Sequence, residues 1–222
     1  MAKSAIEKYK SFEKWKTQEV ENEFGLIRNE TDVAFLQDFL SHLVVLPDHL
    51  KKDILQLRVQ LRSMIEAWNE YDMSILFIGP LFNIVQSQEK RVYRTFFNHS
   101  LKTILNGKEI AGRVDGMLAK GWQIPSVPLF FMQEYKAESG PNGDPLGQLL
   151  IEMIAAQAMN NEPDQALYGC YIIGRNWFFV VLEGKDYAVS LAYDATQDDI
   201  FDIVGILKKI KHLFEIKIGY KS

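Results

Sequence analysis

The sequence predicts an α/β domain in which a central mixed β-sheet is flanked by helices. The first third of the chain repeats apolar residues at helical spacing, and aromatic and β-branched runs bounded by turn signals follow it. A capped helix then interrupts the predicted strands, and another helix closes the chain. Strand runs interrupted by helices are typical of sheets with helices packed on their faces.

The first 47 residues are predicted to form a helical extension. Ser4 and Glu7 have capping-box spacing for a charged first helix, and Thr31 is placed to cap a second, TDVAFLQDFLSHLVV, which stops before Pro47. We expect this extension to serve partner choice or homodimerisation.

The main domain is predicted to comprise residues 48–222. Its first helix is expected to run roughly from Asp48 to Tyr71, because apolar side chains recur there at helical spacing. The next apolar runs, SILFIG and LFNIVQ, are broken by Gly79 and Pro80. They fit either a strand or an irregular loop over the core.

A β-hairpin is predicted after these runs. VYRTFFNHSLKTIL leads to Asn106-Gly107, the strongest short-range signal for a tight turn, and KEIAGRVDGMLAKG is the partner strand. A third strand contains FFMQEYKAE, Phe130 to Glu138. Asp144 followed by Pro145 then predicts the cap and first turn of the helix PLGQLLIEMIAAQAMN.

Further strands and a final helix follow. The runs LYGCYIIG, NWFFVVLEG and YAVSLAYD read as strands, and Thr196 with Asp199 is predicted to cap the last helix. Cys170 is the single cysteine and lies in the first of these runs, which predicts a buried thiol and excludes an intrachain disulfide.

Composition narrows the class of protein. A chain of 222 residues with 47% hydrophobic residues can build a substantial core, and its net charge of −4 is not that of a basic nucleic-acid coat. No run is long enough to span a bilayer and the N-terminus lacks the apolar stretch of a secretory signal, so we expect a cytoplasmic protein without a membrane partner. Walker, dinucleotide and Ser-His hydrolase patterns are absent from the sequence.

The FFMQEYKAE strand places two opposite charges in an apolar setting. Glu134 and Lys136 are two residues apart, so their side chains share one face of the strand. If the hairpin strand lies beside it, Asp115 of RVDGM comes near Glu134, and Gly116 allows close backbone approach. Two such carboxylates suit Mg²⁺ or Mn²⁺, and a nearby lysine can orient the attacking water, which are the parts needed to hydrolyse a phosphodiester.

These residues resemble the PD-(D/E)XK nuclease superfamily, whose members have a restriction-endonuclease-like fold. The resemblance rests on Asp115 after Val114, then Glu134-Tyr135-Lys136 on a strand, then a helix. It implies that Asp115, Glu134 and the backbone carbonyl of Tyr135 bind the metal and that Lys136 assists the water.

The helix after the strand resembles that of the RecB-like branch of this superfamily. Gln148 matches the glutamine of its Gln-x-x-x-Tyr motif, which implies a role in holding DNA near the site, whereas Glu152 stands where that motif has tyrosine. An upstream acidic residue joins the site in many members, and the resemblance leaves Glu66 and Glu70 as candidates. GRVDGMLAKG and GRNWFFVVL also resemble segments of uncharacterised bacterial proteins assigned to the superfamily.

Two functions from different classes follow. The resemblance implies a Mg²⁺-dependent nuclease acting on nucleic acid, expected to be DNA; the alternative is a catalytically silent module of the same fold that binds nucleic acid or protein. Six basic residues surround the first predicted strands, and they fit a phosphate-attracting rim and ordinary protection of strand edges equally well: Arg91, Arg94, Lys102, Lys108, Arg113 and Lys120.

Overall fold

The computed structural model describes residues 7–41, 46–85, 88–89, 91–140 and 142–220. The helices are α1 Thr17–Phe24, α2 Ala34–Leu40, α3 Asp48–Met64, α4 Glu70–Met73, α5 Gly79–Val85, α6 Pro145–Asn160 and α7 Asp199–Lys217. The strands are β1 Glu7–Ser11, β2 Ile27–Arg28, β3 Gln88–Glu89, β4 Tyr93–Leu105, β5 Lys108–Lys120, β6 Ser126–Lys136, β7 Leu167–Ile173, β8 Asn176–Glu183, β9 Asp186–Val189 and β10 Tyr193–Asp194. A 3₁₀ helix, Phe12–Lys14, follows β1, and a π-helix, Ser74–Ile78, joins α4 to α5.

The strands form one mixed sheet, which confirms the predicted α/β class. The strand order is β2-β9-β8-β7-β6-β5-β4-β3, with β1 paired to β5 and β10 paired to β8. Most pairings are antiparallel, but β6 and β7 are parallel and α6 connects them. A parallel pair needs a long crossover, and α6 supplies it on one face of the sheet.

Apolar layers cover both faces of the sheet. On one face the sheet packs against α2, α3, α5 and α7, whose buried residues include Leu36, Leu61, Phe82 and Phe214. On the other face the sheet packs against α1 and α6, through Val20 and Leu149 among others. α6 is buried over most of its length because the N-terminal segment covers its outer side.

The hairpin and the α6 cap agree with the sequence predictions. Asn106 and Gly107 both have positive φ, +50° and +76°, which is the backbone of the tight turn that an Asn-Gly pair favours. The Asp144 carboxylate accepts a hydrogen bond from Gly147 N at 2.9 Å, so it is the N-cap of α6, with Pro145 as the first helical residue. Cys170 is buried, as predicted.

The N-terminal segment differs from the predicted run of helices. The proposed cap Ser4 lies outside the described residues, and Glu7 begins strand β1 instead of a helix. β5 extends beyond β6, and β1 pairs in parallel with its edge over residues 108–111, satisfying backbone groups that would otherwise be open. β2 pairs with β9 at the other end of the sheet. The division into domains at residue 47 stays a prediction, although this segment contributes two strands to the sheet.

Two further stretches differ from the sequence predictions. The apolar runs around Gly79 and Pro80 are helical rather than strand or loop, and their buried residues recur at helical spacing: Phe77, Ile78, Leu81, Phe82 and Val85. The long third helix stops at Met64, and α4 starts only at Glu70.

In the described residues, no helix combines the length and apolar character needed to cross a bilayer.

Two predicted caps are also wrong. Val33, not Thr31, precedes α2, and Asp198 precedes α7. The Thr196 hydroxyl instead donates to Asp194 Oδ1 at 2.6 Å, a local contact that competes with capping.

Candidate active site

The candidate site lies where β5 changes its neighbour. The β5–β6 ladder ends at the Gly116–Gln133 pair, and the β5–β1 ladder ends at the Ala111–Ser11 pair. Gly112, Arg113 and Asp115 of β5 therefore border a cleft of about 660 Å³ between the two ladders. The cleft is lined by Ser11, Phe12, Glu13, Glu70, Asn98, Ser100, Leu101, Lys102, Ala111, Gly112, Arg113, Asp115, Glu134, Lys136 and Gln148.

Asp115 continues the β5–β6 contact with its side chain. Its Oδ2 accepts a hydrogen bond from Tyr135 N at 2.7 Å, in the place where a backbone carbonyl would extend the ladder. Because Gly116 lies opposite Gln133, the antiparallel register carries Asp115 to the position opposite Glu134. Side chains directly opposite each other share one face and lie close together, so the two carboxylates are neighbours.

Glu134 and Lys136 are in direct, largely buried contact on that face. Lys136 Nζ lies 2.5 Å from Glu134 Oε1, and Glu134 is 0% exposed whereas Lys136 is 12% exposed. Despite this short contact, neither Glu134 oxygen receives an aligned hydrogen bond. Buried carboxylates normally accept several hydrogen bonds, so Glu134 is held in an incomplete environment.

The surrounding groups shift the pKa values of this cluster. Burial, followed by the charge of Asp115, raises the pKa of Glu134 to about 9, against the opposing effect of Lys136. Burial also raises the pKa of Asp115, although the Tyr135 N–H and Lys136 oppose it. Burial alone would lower the pKa of Lys136, but Glu134 outweighs it and the pKa is raised. Without a cation, the cluster therefore favours a neutral carboxyl beside a charged lysine.

Two residues of α6 complete the wall behind this pair. Gln148 lines the cleft and is mostly buried, one turn into α6. Glu152 follows it by one turn, is fully buried, and neither of its oxygens receives an aligned hydrogen bond. Burial, then Glu134, then Asp115, raises the pKa of Glu152 well above its ordinary value. Glu152 is thus a third carboxyl that acts electrostatically on the same cluster.

Glu70 is the upstream acid that reaches the cleft. Asn69 Oδ1 accepts a hydrogen bond from Asp72 N at 2.9 Å and caps α4, so Glu70 is the first residue of that helix. Its charge acts on both Asp115 and Lys136, raising the pKa of each. Glu66, the other upstream candidate, is exposed on the segment before α4 and is not among the lining residues.

The opposite face of the same strands fixes the position of the cluster. Tyr135 directs its phenol away from the cleft, and its hydroxyl donates to Gln133 Oε1. A Cβ at Gly116 would lie 2.7 Å from both the Gln133 Oε1 and the Tyr135 hydroxyl, so glycine is needed there. The assignment of the Tyr135 carbonyl to a metal stays a prediction.

The donor chemistry of the cluster fits a hard cation. Glu134 has two buried oxygens without aligned partners, and a second carboxylate lies beside it. Mg²⁺ takes one or two carboxylates and keeps several waters, so Asp115 and Glu134 could hold it at the floor of an open cleft. Among the described residues, no group of three or more His, Cys, Asp or Glu side chains is arranged to hold a metal ion.

The sequence predictions did not name every residue of the cleft. Ser11 of β1 and Glu13 of the 3₁₀ helix after it reach the cleft because β1 pairs with β5, a contact between distant segments. Asn98 also lines the cleft, with φ +51° in the middle of β4, and accepts a hydrogen bond from Arg113. A signal did exist for Glu152, which is the only charged residue in the run LLIEMIAA.

Comparisons with known proteins add no family. No protein-family model matches the chain, and no curated protein sequence matches it. The resemblance to PD-(D/E)XK nucleases therefore stays a prediction that rests on the residues and on the geometry they adopt.

Proposed function

We propose that this protein is a metal-dependent nuclease that hydrolyses phosphodiester bonds of nucleic acid. The observation that carries the proposal is Glu134, a buried carboxylate without aligned hydrogen bonds, placed beside Asp115 and Lys136 at the floor of an open cleft. Retaining such a group lowers stability, and perturbed buried acids in clefts are characteristic of functional sites. The environment of Glu134 therefore supports a functional site in the cleft, and the two neighbouring carboxylates support a cation as its ligand.

Asp115 and Glu134 would hold the cation. When bound, Mg²⁺ or Mn²⁺ acidifies a water molecule and offsets charge on a phosphoryl oxygen. The Tyr135 N–H fixes one Asp115 oxygen and thereby the orientation of that carboxylate. The neighbouring acids Glu13 and Glu70 also line the cleft, so a polyanionic substrate needs a cation to approach.

Lys136 would act on the attacking water and on the developing negative charge. The pKa of its ammonium is raised, because the neighbouring Glu134 outweighs the opposing effect of burial, and 12% of its side chain remains exposed. A preorganised ammonium in a partly water-excluded site stabilises charge that develops on a phosphoryl oxygen. Gln148, from the first turns of α6, is placed to position either the substrate or this lysine.

The upper wall of the cleft offers groups for the phosphate backbone. Asn98, Ser100, Lys102 and Arg113 line it. The Arg113 guanidinium donates to Asn98, and Lys102 pairs with Glu109 at 2.5 Å, so both cations are held in place at the rim. Phosphate contacts of this kind position a strand without reading its sequence.

The test is cleavage of labelled DNA and RNA by the purified protein with Mg²⁺ or Mn²⁺. We expect cleavage, and we expect Asp115→Ala and Lys136→Ala to abolish it while both variants remain folded by circular dichroism. Asp53→Asn and Lys52→Ala are matched controls, because both side chains are exposed on α3, and they should cleave like the wild type. Unchanged cleavage in Asp115→Ala and Lys136→Ala would overturn the proposal.

Cation binding gives a second readout that does not depend on turnover. We expect Mn²⁺ to give a measurable heat of binding in isothermal titration calorimetry and to raise the melting temperature of the protein. The variant Asp115→Asn should show neither effect. Asn keeps an oxygen that accepts from Tyr135 N, so this variant separates the loss of charge from a loss of structure.

A second function is favoured by one contact. Lys136 already neutralises Glu134 at 2.5 Å without any cation, as in a closed structural ion pair. On that view the protein is a catalytically silent module that binds nucleic acid or protein through the same cleft. Cleavage absent with every divalent cation, together with no Mn²⁺ binding, would favour this alternative.

A further inference from the structure

We propose that a second site, formed by Arg91, Arg94 and Trp122, binds single-stranded nucleic acid beside the cleft. We call these three residues the basic-aromatic platform. The inference rests on the proposed function in one respect, since it assumes the same class of polymer as ligand. Its evidence is separate, because it depends on residues at the far end of the β4–β5 hairpin.

The platform combines an open indole with two guanidinium groups. Trp122 is 52% exposed, and Arg91 lies over its ring at 4.7 Å from the centroid. Arg94 Nε donates to the Trp122 carbonyl at 2.9 Å, and the Arg94 guanidinium stacks on Phe96 at 4.3 Å. All three platform residues line a cavity of about 800 Å³.

No carboxylate of the described residues neutralises the positive charge of the platform. Neither Arg91 nor Arg94 forms an ion pair with a carboxylate in the part of the chain that the structure describes. Glu89 is the one acid among the cavity residues, and Tyr220 makes a side-chain hydrogen bond to it. On a chain of net charge −4, this is a local basic surface that suits phosphate.

The backbone holds the platform in a specific conformation. Gly121 has φ +113°, and a Cβ there would lie 2.2 Å from the Ile124 carbonyl oxygen, so glycine is required where the chain folds back. Gly121 N donates to the Val92 carbonyl at 2.9 Å and joins the loop to the start of β4. Arg91 itself has φ +59°, an uncommon conformation for a residue other than glycine. Trp122 is therefore presented by a constrained turn.

Arg94 of the platform points to the same face of the sheet as Asp115 of the candidate active site. Arg94 is opposite Ala119, and Ala119 is four residues from Asp115 along β5, so the side chains of all three point to one face. Four residues of a strand span about 13 Å. Between them residues 116–119 of β5 are buried, so the platform and the cleft are two separate surfaces near the two ends of this stretch of β5.

The geometry favours an unpaired strand over other occupants. An exposed indole stacks on the face of a base, and that face is accessible only when the base is not inside a duplex. Two guanidinium groups that form no ion pair within the described part of the chain lie beside the ring and suit the phosphates of the same strand. An acidic peptide would use the arginines but would gain little from the open indole.

The test is binding of a labelled oligothymidylate in the presence of EDTA, so that no cleavage occurs. By fluorescence anisotropy we expect Trp122→Ala to weaken binding about tenfold, as loss of one stacked base does. Arg91→Gln should reduce the slope of log affinity against log salt by about 0.7, the value for one phosphate contact on a single strand. Ile124→Ala is the matched control, because this neighbouring side chain is 75% exposed and the variant should bind like the wild type.

Several outcomes would overturn the platform. Wild-type affinity in both Trp122→Ala and Arg91→Gln would do so, as would equal competition by polyglutamate, which would assign the surface to an acidic protein partner. Tighter binding of duplex than of single strands, unaffected by Trp122→Ala, would also exclude it. If the wild type binds the oligonucleotide but no variant or cation gives cleavage, the platform is supported and the nuclease activity is rejected. If the protein cleaves and Trp122→Ala changes neither KM nor kcat, the nuclease activity is supported and the platform is rejected.

Discussion

Glu134 and Glu138 lie four residues apart at the end of β6, and their carboxylates have opposite environments. Glu138 Oε1 accepts from Arg175 Nε at 2.8 Å and its Oε2 accepts from Arg175 N at 2.9 Å, so both oxygens are satisfied. Glu134 is buried more deeply, yet neither of its oxygens receives an aligned hydrogen bond. The Glu138 carboxylate stabilises a turn through Arg175. The Glu134 carboxylate, in contrast, lowers stability where the cleft opens.

Asp144 and Asp115 repeat this difference. The Asp144 carboxylate accepts three hydrogen bonds, from Gly147 N, from Thr17 N and from the Thr17 hydroxyl, and so joins the starts of α6 and α1. Asp115 accepts one, from Tyr135 N, and lies beside another acid. A carboxylate whose oxygens all have hydrogen-bond donors is explained by its structural role. A buried carboxylate without such donors needs another reason, and the one we propose here is the cation.

The largest expected effect separates the two glutamates by activity. Glu134→Gln should lower the cleavage rate by about 10²–10³-fold, the size of losing one preorganised charge, while its melting temperature stays equal or rises. Glu138→Gln should keep the rate within a few-fold and lower the melting temperature, because Gln weakens the contacts with Arg175. The same effect on rate from both variants would remove the distinction between them.

The second effect concerns the satisfied aspartate. Asp144→Ala should lower the free energy of unfolding by about 2–3 kcal/mol, since it removes the N-cap of α6 and two hydrogen bonds from Thr17 at the partly buried start of α1. Denaturant unfolding measures this, with Asp164→Ala as a control because Asp164 is exposed. A loss below that of the control would show that Thr17 and α1 do not depend on Asp144.

The third effect is a pH dependence of stability. The pKa of Glu134 is raised from 4.5 to about 9 by burial and Asp115, so the folded state binds the proton more tightly than the unfolded state. The resulting stabilisation is complete below pH 4.5 and is lost as the pH rises toward 9. In EDTA we expect the free energy of unfolding to fall across this window by up to about 1.4 kcal/mol per pH unit, and Glu134→Gln to flatten the curve. A wild-type curve that rises across the window would contradict the assignment.

Local signals in the sequence predicted much of the fold. Asn106-Gly107 specifies its own turn and Asp144-Pro145 its own cap, because the interactions involved span only a few residues. Strand alternation likewise predicted that Glu134 and Lys136 share one face, and the two side chains are in contact. Asp115 was placed near them through the hairpin, and the register carries it there.

Contacts between distant segments were not predictable in the same way. Charged residues near Glu7 have a pattern that fits a helix, but the open edge of β5 pairs with them as a strand. Glu66 and Glu70 could not be separated from sequence, because the choice depends on where α3 stops and α4 begins. The run around Gly79 is helical because the core beneath it accepts side chains at helical spacing, a condition set by its neighbours.

The smallest expected effect concerns Glu152, the third unsatisfied carboxyl. It touches no solvent, and burial first and the charges of Glu134 and Asp115 next raise its pKa, so the folded state must take up a proton there. A neutral amide of the same shape removes this cost. Glu152→Gln should therefore raise the free energy of unfolding by about 1 kcal/mol at neutral pH, in the lower part of the range for an unsatisfied buried polar group. Gln157→Glu is the reciprocal control: it adds an acid to the same helix, where Gln157 donates to the carbonyls of Pro163 and Gly184, and should destabilise. If Glu152→Gln instead destabilises the fold and reduces Mn²⁺ binding, Glu152 belongs with Asp115 and Glu134 as a group that the cation requires.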